Sequence, residues 1–330
     1  MGNDMHVLVT GGAGYIGAHA CKALKAAGFI PVAFDNFSTG WRQAVKFGPM
    51  FQGDLMDRAS IEAAIAMYKP VAIMHFAALS LVGESMTNPA KYWRVNVNGS
   101  LNLIEAALDA GIKNFVFSST CATYGELDGV ALNEDTPQTP INAYGGSKRA
   151  IEMILRDFEK SHGLNSVIFR YFNVAGADPE GEVGEQHVPE THLIPLMLDA
   201  IDGKRPALTV FGSDYKTKDG TCIRDYVHVM DLVDAHILGL KWLLEGKESR
   251  VFCLGSGNGF TVREVIEASR IVTNREVPII EGSRRPGDAT SLVSGSVRAI
   301  HELGWEPKRS TLQQMIGDAW RWSKQPAFTE

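Results

Sequence analysis

The chain has 330 residues, enough for one large domain or two ordinary ones with a sizeable core. Hydrophobic residues at 45% and charged residues at 21% describe a globular protein, and a net charge of -6 with dispersed Lys and Arg excludes the basic footprint of a nucleic-acid or anionic-membrane binder. Four cysteines, scattered and without a Cys-x-x-Cys pair, exclude a disulfide framework or zinc ribbon and fit a reducing cytoplasm. Met1 to Asp4 run straight into an apolar segment, with neither the basic nor the long apolar region of a signal peptide. The longest apolar stretch, Val71 to Val82, is interrupted by His75 and Ser80 and is too short to span a bilayer.

In chain order, short buried strands are expected at Val7–Val9, Val32–Phe34, Ala72–Met74, Phe115–Phe117 and Val167–Phe169. Helices are expected between them, near Tyr15–Ala27, Ser60–Tyr68, Pro89–Ala110 and Tyr144–Lys160. This alternation predicts the α/β class, with a doubly wound parallel sheet of the Rossmann type over 1–176. From Ala177 the pattern becomes irregular, and a smaller mixed α/β domain is expected over 177–330. The acidic run from Asp178 to Glu190 reads as a solvated loop. Tyr226 to Gly246 reads as a helix followed by a buried strand at Val251–Leu254, and 226–256 is expected to return to the first sheet.

Two motifs in the first half carry chemistry. Gly11-Gly12-Ala13-Gly14-Tyr15-Ile16-Gly17 joins the first strand to the first helix, where glycines allow a pyrophosphate to approach backbone N–H groups at a helix N-terminus. Asp35, at the end of the second strand, offers a carboxylate to a ribose diol and repels a 2′-phosphate, so NAD is expected rather than NADP; Arg42 nearby is the opposing feature. Asp54 follows the third strand, where an adenine contact and a plain turn residue are equally good readings. Small residues in Phe76-Ala77-Ala78 let the backbone approach a cofactor after the fourth strand.

The second motif is Tyr144-x-x-x-Lys148, preceded by Thr120 in a strand-end loop. Positions i and i+4 share a helix face, so the Lys148 ammonium is expected beside the Tyr144 phenol, lowering its pKa and making it a base near neutral pH. Thr120 is expected to hydrogen-bond the same substrate oxygen. His187 and His192 with Glu185 and Glu190 invite a metal reading, but Pro189 breaks the helix that such spacing requires, and no metal is expected.

Gly11, Gly14, Gly17, Thr120, Tyr144 and Lys148 together resemble the extended short-chain dehydrogenases/reductases. Arg170-Tyr171-Phe172-Asn173, Phe211-Gly212-Ser213, Arg224-Asp225-Tyr226-Val227-His228 and Arg284-Arg285-Pro286-Gly287-Asp288 narrow this to a resemblance to the UDP-glucose 4-epimerase family, from about residue 6 to Trp322. The resemblance implies reversible epimerisation at carbon 4 of a UDP-hexose through a 4-keto sugar and transient NADH, with Thr120, Tyr144 and Lys148 as the catalytic set. It implies NAD contacts from Gly11, Gly14, Tyr15, Ile16, Gly17, Asp35, Asn36, Asp54, Leu55, Phe76, Ala77, Ala78, Asn96, Tyr144, Lys148 and Phe172.

For the UDP-sugar it implies Thr120, Asn173, His192, Leu193, Phe211, Arg224, Arg285, Asp288 and Leu292, with Phe211 by the uracil, both arginines on the diphosphate and Asp288 near the ribose. A homodimer is implied through the helices that carry Leu101, Ile104 and Leu108 and Ile151 and Leu155, although the same spacing is a core signature. Three positions depart from the family: Ser80 replaces a lysine, His192 an asparagine, and Leu292 the tyrosine or cysteine associated with selection against or for N-acetyl sugars. A sugar-nucleotide 4,6-dehydratase needs an acidic pair after the threonine, where this chain has Cys121-Ala122. An ordinary NAD dehydrogenase and a non-catalytic NAD-sensing scaffold are the other readings; the scaffold would lose Tyr or Lys, and both are present.

Overall fold

A computed structural model describes residues 5–127, 129–285, 288–325 and 328. The chain begins with β1 (His6–Thr10), α1 (Tyr15–Ala26), β2 (Ile30–Asp35), β3 (Met50–Gln52), α2 (Arg58–Tyr68) and β4 (Ala72–His75). It continues through α3 (Val82–Thr87), α4 (Pro89–Tyr92), α5 (Gly99–Asp109), β5 (Asn114–Thr120), α6 (Ala143–His162), β6 (Asn165–Tyr171) and β7 (Asn173–Ala175). The remainder is α7 (Leu193–Ile201), β8 (Leu208–Phe211), β9 (Ile223–His228), α8 (Val229–Leu244), β10 (Arg250–Leu254), β11 (Gly259–Thr261), α9 (Val262–Thr273), β12 (Ile279–Gly282), β13 (Ser291–Leu292), α10 (Arg298–Leu303) and α11 (Leu312–Ser323).

Seven parallel strands form the main sheet in the order β10-β6-β5-β4-β1-β2-β3. Because successive side chains in a strand point to opposite faces, Val7 and Val9 enter one core with Leu24, Val233 and Leu240 of α1 and α8. Leu8, Phe115 and Phe117 enter the other with Ile61, Ile104, Ile151 and Leu155 of α2, α5 and α6. This is the doubly wound α/β fold, with strand order reversing between β1 and β4; the carboxyl ends there form the switch point at which such sheets bind ligands.

β7 pairs with β9, which also pairs with β11 and β13, and β8 pairs with β12. Helices α7, α9 and α11 pack Met197, Val265, Met315 and Ile316 into a separate core beside these short strands.

Three expectations are corrected. The helix expected over 89–110 is interrupted by a wide π turn at Trp93–Asn98. There the Ser100 hydroxyl, itself bonded to His75, donates to the Asn96 carbonyl. π turns of this kind concentrate at functional sites.

Tyr226 to His228 belong to β9, and α8 starts at Val229, where the His228 ring accepts the Met230 N–H as an N-cap. The acidic run is only partly solvated: Lys22 of α1 reaches Asp178, Glu180 and Glu182 at 2.7, 2.6 and 2.7 Å, and Asp178 is buried while Glu180 stays exposed. One ammonium bridges three carboxylates and docks the segment on α1.

Candidate active site

The loop after β1 is shaped by close backbone approach. A Cβ on Gly11 would lie 2.8 Å from Ala77 N, and one on Gly17 would lie 2.0 Å from Gly11 O. Gly14 is the N-cap of α1 and supplies no side chain to cap it. The N–H groups of the first turn, at Tyr15, Ile16 and Gly17, have no acceptor within the helix by its geometry. That cradle suits an anionic pyrophosphate.

Tyr15 turns its hydroxyl onto Gly176 O at 2.6 Å, and Ile16 packs on the core. Asp35 is buried, which raises its pKa, while its two oxygens accept N–H groups from Ala13 at 3.0 Å and Phe37 at 2.8 Å. A carboxylate has about four acceptor sites, so capacity remains for a diol. Arg42 is held by Gln52 Oε1 at 2.6 Å and lies over the Phe37 ring.

Asn36 donates to Asp54 at 2.9 Å, Asp54 also accepts Met56 N–H, and Leu55 is buried in the core beside Gly99. Phe76 stacks near His236, and Ala77 N–H bonds Thr10 O, ahead of Ala78. Asn96 is buried; its amide hydrogens go to Leu79 O and Ser147 Oγ at 3.0 Å each, and its oxygen accepts Leu79 N–H. In the structure it therefore clamps the 79 backbone to α6. Ser80 is exposed.

Thr120 ends β5 beside Tyr144 in the first turn of α6, which Asn142 caps through Gly145 N–H, and the Thr120 Oγ1 accepts the Ala122 N–H at 3.1 Å. Burial and the neighbouring Tyr171 push the Tyr144 pKa up, with Thr120 acting in the opposite direction. Lys148 is buried one turn on, and its Nζ donates to Ser118 O at 2.9 Å and sits over the Phe117 ring. Burial pulls its pKa down to about 7.

The expected lowering of Tyr144 by Lys148 is thus reversed in the free protein. The helical spacing sets the two one turn apart, but burial is the largest influence on each, and the Lys148 Nζ reaches a strand carbonyl.

Sequence reasoning missed the residues that aim this pair. Tyr171 OH donates to Ser118 Oγ at 3.2 Å. Arg170, fully buried, pairs with Glu152 of α6 at 2.7 Å and also donates to Tyr124 OH, and Ser119 Oγ donates to Glu152. The signal was present: an arginine inside an apolar strand run demands a buried carboxylate.

On the other wall, Phe172 is buried in a small cluster with Cys121, Tyr124 and Cys253, against which Leu292 packs. Asn173 opens β7, and Leu193 opens α7 with His192 as its N-cap. Arg285 lies over the Phe211 ring at 3.9 Å. Arg224, paired in register with Leu292, reaches Asp288 at 3.4 Å.

His187 and His192 come together without the helix whose absence argued against a metal. An irregular loop, not a helix, gathers Glu185, His187, Glu190 and His192, so that one ligand atom from each lies within 4.8 Å of the rest. All four cysteines are buried and unpaired, and no helix among the described residues is long and apolar enough to cross a membrane.

A profile of the NAD dependent epimerase/dehydratase family matches residues 7–255. The chain is 51% identical to a UDP-glucose 4-epimerase of Rhizobium leguminosarum bv. trifolii, over 96% of each chain. Among solved structures it is similar to UDP-glucose 4-epimerase from Brucella ovis in complex with NAD, with a TM-score of 0.93 and 44% identity over 96% of this chain and 98% of that one. It is also similar to the UDP-Glc/GlcNAc 4-epimerase of Campylobacter jejuni, with a TM-score of 0.84 and 40% identity over 98% of this chain and 100% of that one.

Proposed function

Because this chain belongs to the NAD dependent epimerase/dehydratase family, we propose a division of labour among its residues for one reaction. The protein is an NAD-dependent isomerase that interconverts UDP-glucose and UDP-galactose at carbon 4 of the hexose. When bound, NAD supplies the oxidising and re-reducing equivalents at that carbon. Tyr144 takes and returns the 4-hydroxyl proton, and Thr120 donates a hydrogen bond to the same oxygen. Lys148, held by Ser118, orients the cofactor ribose and supports the phenolate.

Arg224 and Arg285 neutralise the diphosphate, Phe211 and Asp288 face the uridine, and Asn173 and Leu193 line the approach. The observation that carries this assignment is Thr120 at the carboxyl end of β5 beside Tyr144 and the buried Lys148, on the same edge of the sheet as the glycine loop.

A dehydratase reading has no acid to use here. Cys121 stands where one is needed, and burial pushes its thiol up to about 12.

Asp35 should set the cofactor. At 4 Å a carboxylate and a phosphate charge repel by about 1 to 4 kcal/mol across the dielectric range of a protein surface. The purified protein is therefore expected to carry NAD, and Asp35→Asn to lower the NAD over NADP affinity ratio by about tenfold or more. Isothermal titration of nucleotide-free protein checks this; an unchanged ratio removes Asp35 from the selective role.

Substrate choice is tested by chromatography of products from UDP-galactose, UDP-N-acetylgalactosamine and UDP-xylose in separate incubations. Leu292 is smaller than tyrosine and larger than cysteine and packs on the Phe172 and Cys121 cluster, so hexoses should be preferred over acetamido sugars. Leu292→Ala should raise relative kcat/KM for UDP-N-acetylglucosamine by roughly tenfold, the scale set by a few methylenes in a pocket. Equal turnover of both classes by the unaltered protein, or an unmoved ratio in the variant, places the gate elsewhere.

The assembly is proposed to be a homodimer. Ile104, Ile151 and Leu155 are committed to the core. Met86, Trp93 and Met153 remain exposed and line one shallow groove with Ile141, on the same pair of helical segments. A second copy is the occupant that covers such a face in this family, and the four reduced thiols fit a cytoplasmic setting.

A further inference from the structure

The loop between β7 and α7 carries a cluster that the epimerase reaction does not use. His192 Nδ1 faces Glu185 Oε1 at 2.9 Å and Glu190 Oε1 at 3.0 Å, and His187 Nδ1 faces Glu185 Oε1 at 3.4 Å and Glu190 Oε2 at 3.5 Å. Each ring nitrogen carries one proton or one lone pair, so neither can satisfy two carboxylate oxygens. Indeed Glu185 Oε1 and His187 Nδ1 are buried and make no well-aligned hydrogen bond, and the Glu185 side chain is only 7% exposed. His192 Nδ1 pairs with Glu190 Oε1, and the two unpartnered atoms converge on the same point.

That point has the dimensions of a metal. Four ligands about 2.0 to 2.1 Å from a tetrahedral ion lie roughly 3.3 Å from one another; the separations above, which reach Glu190 through Oε1 from His192 and through Oε2 from His187, fall on either side of that value, and one ligand atom from each residue lies within 4.8 Å of the other three. Two neutral imidazoles and two carboxylates also balance the charge of one divalent ion. Without it, charge balance needs two imidazolium rings with centroids 5.1 Å apart, each repelling the other.

The backbone is held in place from outside. Trp322 Nε1 donates to Glu185 O, Trp41 Nε1 to Gln186 O, and the Gln186 side chain bonds both N–H and C=O of Phe328. Glu190 Oε1 accepts the Thr191 and His192 N–H groups, which fixes its orientation as outer-shell bonds do for metal ligands.

We propose that Glu185, His187, Glu190 and His192 form a binding site for one divalent transition-metal ion of the zinc type, coordinated through both Nδ1 atoms and one oxygen of each carboxylate. The ion fastens the loop between two working parts. On one side the His187 ring meets the edge of Tyr15, the first residue of α1. On the other, His192 is the N-cap of α7. The site is thus a structural clasp joining the cofactor loop to the substrate helix.

The test uses full-length protein freed of any affinity tag and of metal by chelator dialysis, with zinc and cobalt(II) salts as the probes. After removal of excess metal, about one ion per chain should be retained by elemental analysis. Cobalt should give the visible absorption of a tetrahedral nitrogen and oxygen site, and zinc should raise the unfolding midpoint. Glu185→Gln and His187→Ala should each abolish all three signals, while the exposed His301→Ala retains them.

Circular dichroism and bound NAD establish that the variants are folded. Should one fail to fold, the other decides. Retention of less than about a tenth of an ion by the unaltered protein, or equal retention by the folded variants, overturns the site and leaves a plain imidazole–carboxylate cluster. The readout is metal content, so it stands apart from the epimerase assignment.

Discussion

Tyr144→Phe reduces kcat by about two to four orders of magnitude, the span of a general acid–base group, while UDP-sugar affinity stays within about threefold. The substitution removes one oxygen and almost no volume, and the ring keeps its place at the start of α6. What disappears is the proposed acceptor for the 4-hydroxyl proton, beside Thr120. In the free protein burial raises the Tyr144 pKa, so the phenol holds its proton firmly until a positive charge arrives beside it. Steady-state kinetics with UDP-galactose, paired with UDP titration, make the comparison. Turnover within tenfold of the parent removes Tyr144 from the base role.

Lys148→Met should act on catalysis and on stability with opposite signs. Turnover falls and the pH optimum moves upward, because the phenolate loses its electrostatic support. The stability effect follows from a folded pKa of about 7 against 10.5 for a free lysine. A lysine depressed in this way penalises the fold fully below pH 7, where it is charged in both states. Above pH 7 the unfolded chain binds more protons than the folded one, so stability rises with pH until about 10.5.

The gap corresponds to on the order of 5 kcal/mol, from which the lost hydrogen bond to Ser118 subtracts about 1 kcal/mol. Nucleotide-free Lys148→Met should therefore be more stable than the parent by a few kcal/mol at pH 6, with the advantage fading as pH rises towards 10. Denaturant titrations across that range measure it. A parent that equals or exceeds the variant at pH 6 shows that Lys148 is not strained by burial.

Strands β1, β2, β4, β5, β6 and β10 were legible in the sequence because each holds a short apolar run, whereas the short strands of the second region were not, and the end of β9 read as helix; the glycine loop was legible because only glycine survives contacts such as Gly11 against Ala77 N. Thr120, Tyr144 and Lys148 were legible as a spacing, yet their electrostatics were not. Whether Lys148 supports or merely neighbours the phenol depends on Ser118 O, a backbone atom with no sequence signature. The π turn at Trp93–Asn98 escaped because its cause is a chain of contacts from His75 through Ser100 to Asn96, spread over separate elements. The gathering of Glu185 with His192 escaped for a different reason. Periodicity describes only helices and strands, and an irregular loop held by Trp41 and Trp322 obeys neither.

The chain passes from the seven-stranded sheet at β6 directly into β7, pairs that strand with β9, and then sends α8 and β10 back to the first sheet. The wall that recognises the sugar nucleotide and the wall that holds the cofactor are therefore stitched together by the same polypeptide in both directions. Neither can be transplanted as a cassette. A substitution in either region is therefore felt through a chain path that runs into the other.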